Sequence, residues 1–188
     1  RYKPGAPVNV VATSTVSKTV ELAWQAGAAN GSPITGFTVS WTGDNGSSGS
    51  TTVGQVTATT VSGLTNNVWY TFTVVATNEI GDSPASAASN QVRPDTTPHQ
   101  AATPPAKFGD QLIVLSWPAG TPEGAPIDRY EVTISPAPGG VSVQEVTGTN
   151  LTWTGLANGT AYSFTVVAVS VNNLSSDPSA ASAPEVPA

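Results

Sequence analysis

The chain has 188 residues, among them 18 Gly and 16 Pro, no Cys, no Met and a single His, His99. These absences exclude disulfides and thiolate chemistry and argue against a histidine metal cluster or a Ser-His-Asp triad. Six basic residues against twelve acidic ones leave a net charge of −6, the wrong sign for a nucleic-acid binder, and no apolar run is long enough for a transmembrane helix.

Period-two alternation runs along the chain. Val20, Leu22 and Trp24 alternate with Glu21 and Ala23; Phe37, Val39 and Trp41 with Thr38 and Ser40; Tyr70, Phe72, Val74 and Ala76 with Thr71 and Thr73. This is the pattern of half-buried antiparallel strands. Clusters of Gly, Pro, Asn and Ser at 27–33, 43–50 and 78–84 separate the runs. The predicted strands fall near 7–12, 19–24, 34–41, 50–53, 57–61, 69–78 and 86–92. A second set follows near 103–107, 111–117, 128–135, 141–146, 150–154, 161–170 and 180–186. Pro104 and Pro105 cannot supply ladder N–H groups, so the strand holding them is expected to be short or irregular and at an edge. No segment shows sustained helical periodicity.

The two sets are copies. Trp24 and Trp117 lie 93 residues apart, as do Gly31-Ser32-Pro33-Ile34 and Gly124-Ala125-Pro126-Ile127. Tyr70-Thr-Phe-Thr-Val-Val-Ala76 returns as Tyr162-Ser-Phe-Thr-Val-Val-Ala168 at a spacing of 92. A tandem duplication of units 1–94 and 95–188 is expected, each large enough for its own core. About seven short strands per unit make a two-sheet sandwich, so the fold class is all-β. The linker Arg93-Pro-Asp-Thr-Thr-Pro98 is short and ends in proline, which restricts the pair. Charge divides unevenly between the halves: residues 1–94 are neutral and residues 95–188 carry the whole −6. The chain begins at Arg1 with no initiator Met and reads as a piece of a longer protein, so missing targeting signals carry no weight.

With Gly-x-Pro-Ile leading into Phe37-x-Val39 and Tyr130-x-Val132, Leu64-x5-Tyr70 and Leu156-x5-Tyr162, and the Tyr-x-Phe-x-Val-x-Ala strand, the chain resembles two tandem fibronectin type III domains over nearly all its length. The composition resembles bacterial secreted examples, actinobacterial ones in particular. The resemblance implies immunoglobulin-like seven-stranded sandwiches and an extracellular or cell-surface setting. It implies tyrosine corners at Tyr70 and Tyr162, whose hydroxyls bond the backbone near the preceding turn.

Strand phase sorts the five Trp. Trp24, Trp41, Trp117 and Trp153 fall on inward positions and are expected to be structural. Trp69 precedes inward Tyr70 and is expected to leave on the opposite face, with Thr71, Thr73 and Val75 and with Thr38 and Ser40 of the neighbouring strand. A solitary exposed Trp is a candidate contact anchor, although packing on its neighbours or on the other unit accounts for it as well. Gly81-Asp82-Ser83 lies where integrin-binding relatives carry Arg-Gly-Asp; Ile80 replaces the arginine, so integrin binding does not carry over and a flexible turn is expected. Glu123, Asp128 and Glu131 do not form a calcium set, because calcium needs about six converging oxygens. The five Asn-x-Ser/Thr sequons, at Asn30, Asn45, Asn150, Asn158 and Asn173, matter only in a glycosylating host.

Neither a catalytic site nor a cofactor is expected. The leading reading is a non-catalytic module that spaces or presents other domains and binds another protein, bacterial or host, as a monomer that does not insert into membranes. A second reading is specific recognition of a host protein in the manner of cytokine receptors, whose paired domains bind at the elbow. The corresponding surfaces would be 63–67 of the first unit, with Asn66 and Asn67, and 119–126 and 171–177 of the second, with Glu123, Asn172 and Asn173. A third is an accessory module of a polysaccharide-degrading enzyme.

Overall fold

A computed structural model describes the whole chain, residues 1–188, which divides into two compact units, Arg1–Asp95 and Thr96–Ala188. The first holds β1 (Val8–Thr13), β2 (Val20–Gln25), β3 (Gly36–Gly43), β4 (Ser48–Val53), β5 (Ala58–Val61) and β6 (Tyr70–Thr77). The second holds β7 (Ala106–Gly109), β8 (Leu112–Ser116), β9 (Ile127–Ser135), β10 (Val143–Val146), β11 (Asn150–Trp153) and β12 (Ser163–Ser170). A 3₁₀ turn at Pro138–Gly140 is the sole helical segment.

In the first unit one sheet orders β1-β2-β5 and the other β4-β3-β6, all antiparallel; the second repeats this as β7-β8-β11 and β10-β9-β12. The sheets close on two cores of the same design. Val20, Leu22, Trp24, Phe37, Val39, Tyr70, Phe72 and Val74 are buried in the first, and Ile113, Leu115, Trp117, Tyr130, Val132, Tyr162, Phe164 and Val166 in the second. Trp24 lies edge-on to Phe37 with ring centroids 5.4 Å apart, and Trp117 meets Tyr130 in the same way at 5.6 Å. Such edge-to-face pairs add about 0.5–1.5 kcal/mol to the burial itself. Both tyrosine corners form: the Tyr70 hydroxyl accepts the Thr65 N–H at 2.9 Å, and the Tyr162 hydroxyl accepts that of Ala157 at 3.1 Å.

Trp41 packs only partly buried at the rim of the first core. Its indole lies across Gly49 of the neighbouring strand, where a Cβ would stand 2.5 Å from the ring. Any larger residue at 49 would push the indole off the core.

Three strand expectations need correction. The strand placed near 103–107 is displaced to Ala106–Gly109, because pairing begins only after the Pro104-Pro105 pair; it is short and lies at the sheet edge beside β8. The regions 86–92 and 180–186 are not regular strands. The seventh position of each sandwich is held by a segment in which every third residue turns inward: Ser83, Ser86, Ser89 and Val92, and in the second unit Ser176, Ser179 and Ser182. These serines take the place of a strand ladder. Ser83, Ser86 and Ser89 donate their N–H groups to the carbonyls of Ala76, Val74 and Phe72. In return their hydroxyls accept the N–H groups of those same residues at 2.9–3.0 Å. Each hydroxyl then donates to the carbonyl of the residue after it, Pro84, Ala87 and Asn90. Ser176, Ser179 and Ser182 repeat the exchange with Ala168, Val166 and Phe164. Three residues thus cover the ~6.7 Å that two strand residues span. The hydroxyl supplies the acceptor that the skipped backbone carbonyl would have offered, so no buried strand N–H is orphaned.

Candidate functional site

The alternation that buries Phe37, Val39, Phe72 and Val74 turns the residues between them outward. Across β4, β3 and β6 the outward positions form three rows: Ser48, Thr42 and Thr71; Ser50, Ser40 and Thr73; Thr52, Thr38 and Val75. Every position but Val75 carries a hydroxyl, and none carries a charge. Sheet geometry spaces the columns ~4.8 Å apart and the rows ~6.7 Å apart. Thr42 and Thr71 share a hydrogen bond at 3.3 Å. A shallow dimple lined by Ser40, Trp41, Thr42, Thr71 and Thr73 lies in this face.

Trp69 stands at the end of the grid, one step beyond the row of Thr71, with 40% of its surface exposed. Three contacts fix it. Its N–H donates to the Asp44 carboxylate at 3.2 Å, and its carbonyl accepts the Asp44 N–H at 2.9 Å. The Arg93 guanidinium stacks over the indole, 4.7 Å from the ring centre. Arg93 is placed there because Val92 bridges Tyr70, which sets the next residue beside Trp69. A cation over an exposed indole contributes about 0.5–1 kcal/mol.

Of the other residues singled out in the sequence, Asn66 is not available to a partner. It is buried at 8% exposure; its Oδ1 accepts the Lys18 N–H at 2.7 Å and its Nδ2 donates to the Ser17 hydroxyl at 2.8 Å. Its amide bonds in the role of a missing backbone partner, which is why a polar residue sits inside. Asn67 is half-buried, holds a left-handed turn at φ 62° and donates its N–H to the Pro94 carbonyl. In the second unit Glu123 is exposed and lies 3.4 Å from His99 Nδ1. The Asn172 N–H donates to the Ser170 hydroxyl, and Asn173 holds φ 62° while its Oδ1 accepts from Arg129 at 3.2 Å. The residues proposed for an elbow surface are therefore turn-forming or paired. The turn at Gly81 is an ordered one: Asn78 Oδ1 accepts the N–H groups of Ile80 and Gly81, and Thr77 donates to Asp82 at 2.6 Å. Asp128 pairs with Arg129 at 3.1 Å, and Glu131 lies directly opposite Glu145.

The structure brings Trp69, Thr71, Thr38 and Ser40 to one face. It adds Thr73, as the alternation predicted; sequence reasoning missed Thr42, Ser48, Ser50 and Thr52 on it, which the same alternation marks, and Arg93 and Asp44, which meet Trp69 only through the fold.

Two sandwiches of this topology, each with its tyrosine corner, define a class of tandem β-sandwich modules. The sequence profile of the fibronectin type III domain matches residues 5–92 and 107–185, and the chain belongs to that family. It is 37% identical over 175 residues to Chitinase A1 of Niallia circulans, a match that takes in 88% of this chain and 23% of that protein. It is 27% identical over 184 residues to the Neural cell adhesion molecule L1-like protein of Homo sapiens, covering 93% of this chain and 15% of that protein. The chain thus spans less than a quarter of the length of these relatives. Among solved structures, a two-domain fibronectin type III segment of chicken tenascin matches 94% of this chain and 97% of that segment, with a TM-score of 0.54 and 19% identity, which shows the fold.

Proposed function

We propose that the chain is a non-catalytic accessory module of an extracellular or surface protein, one that spaces neighbouring domains and supplies a contact surface, and that the parent protein acts on a polysaccharide. The observation that carries this reading is the 37% identity to Chitinase A1, which runs over 175 residues and so through both domains as one block. A pair of sandwiches, each with its own core and joined by a short proline-ended linker, suits that task, since the cores are self-contained and leave the faces free to vary. A protein-adhesion module is the second reading, favoured by the likeness to the L1-like protein. Protein interfaces are enriched in aromatics and depleted in Ser, and a face of hydroxyls with one ring departs from that composition.

The test compares the parent protein with and without residues 1–188 on soluble and insoluble forms of the same polysaccharide. Turnover of the soluble form should be unchanged, and turnover of the insoluble form should fall severalfold. Equal turnover of both forms by both proteins contradicts the accessory role. Sugar release by the isolated chain contradicts the non-catalytic assignment.

A further inference from the structure

We propose that the outer face of β4-β3-β6 is a binding site for a neutral, extended polysaccharide chain, with Trp69 as the ring on which a sugar stacks; the inference rests on the reading just given. Three features point to this ligand chemistry together. First, the grid is uncharged, and a neutral glycan has no charge to be matched. Thr38, Ser40 and Thr73 each offer a hydroxyl that both donates and accepts, as the hydroxyls of a sugar do. None of these three is bonded elsewhere in the protein. Second, the grid is open and repeats along and across the strands, so it fits a repeating polymer better than a compact ligand, which deep concave pockets serve. Third, Trp69 is held in advance: Asp44 bonds its main chain on both sides and Arg93 stacks on its ring, and 40% of its surface is left exposed for contact. Its large ring with a polar edge offers the apolar C–H face of a sugar a platform beside the hydroxyls.

The equivalent face of the second unit has the same sheet repeat and lacks the other two features. Ala161 occupies the place of Trp69, and Glu131, Glu145 and Arg129 put charges on the grid. The site therefore belongs to the first unit alone.

The experiment measures depletion of the full 188-residue chain from solution by insoluble chitin and by microcrystalline cellulose, with polygalacturonate beads as the anionic polymer. Retention is expected on at least one neutral polymer and not on the anionic one. Trp69→Ala should weaken it at least tenfold while the first unit stays folded at the assay temperature, and Trp69→Phe, which keeps a ring, should recover most of the loss. Ser40→Glu, which sets a carboxylate in the middle of the grid, should weaken it similarly, and Glu131→Thr in the second unit should leave it unchanged. The proposal is overturned by no retention on either neutral polymer, by retention on polygalacturonate alone, or by retention that Trp69→Ala and Ser40→Glu leave intact. Trp69→Ala in the parent protein separates the two readings. If deleting both domains impairs turnover of the insoluble polysaccharide and Trp69→Ala does not, the accessory role stands and this face is not its site.

Discussion

Across the first sandwich one outward row reads Thr52, Thr38 and Val75; the equivalent row of the second reads Glu145, Glu131 and Val167. Directly beneath, the inward residues at the centre are the same: Val39 and Val132, Phe72 and Phe164, Val74 and Val166, Ala76 and Ala168. Where the interior does differ, a large apolar residue moves from one site to another. Trp41 and Val61 of the first unit are matched by Ile134 and Trp153 of the second, so each core keeps one indole there and the total volume is held, as a close-packed core requires. The outside is under no such constraint, since exposed substitutions typically change stability by less than about 0.5 kcal/mol. In the second unit this face carries opposed carboxylates, Glu131 against Glu145, with the Arg129 guanidinium 3.6 Å from Glu145. In the first the grid is neutral and ends in an exposed indole held by Arg93. Packing explains what the two copies share, so a difference in what they contact has to come from the faces.

If the interiors are equivalent, matched substitutions must cost the same in both units. The largest effect is expected for Trp24→Ala and Trp117→Ala, 4% and 5% exposed, each lowering the stability of its own unit by about 3–5 kcal/mol. Chemical denaturation of the full chain, followed by amide exchange in each unit, checks this; a loss under about 1 kcal/mol in either unit breaks the equivalence. Next come Ser86→Ala and Ser179→Ala. Each leaves a buried strand N–H, that of Val74 or Val166, without its hydroxyl acceptor, at a cost of about 1–3 kcal/mol. The exchange of those two amides should accelerate more than that of their neighbours. Tyr70→Phe and Tyr162→Phe remove the corner hydrogen bond and should cost about 1 kcal/mol each. The smallest effects belong to the faces, where the copies differ. Trp69→Ala should cost about 1 kcal/mol or less, and Arg93→Ala should alter the fluorescence of Trp69 by uncovering it, with stability nearly unchanged. Arg129→Ala should destabilise the second unit by about 0.2–1 kcal/mol, less at high salt.

The interiors were legible because their signal has period two, as Phe37-Val39 and Tyr70-Phe72-Val74 show. The seventh segment was not, because its signal has period three. Ser83, Ser86 and Ser89 read as loop polarity until their hydroxyls are seen bonding Ala76, Val74 and Phe72. The outward placement of Trp69 follows from phase alone, but Arg93 is 24 residues away in sequence and meets it only through the Val92–Tyr70 bridge. Asn66 misled for a related reason: a polar residue in a turn reads as exposed, and only the fold shows that Ser17 and Lys18 lie where its amide can bond them.

The most direct test of the difference between the faces is an amide and indole NMR titration of the full chain with a soluble neutral oligosaccharide prepared from the insoluble polymer that retains it. The account predicts that the Trp69 indole N–H and the amides of Ser40, Thr71 and Thr73 shift together, while those of Glu131, Glu145 and Val167 stay in place. Shifts centred on the second unit, or a Trp69 indole that does not move while the chain binds, would contradict it.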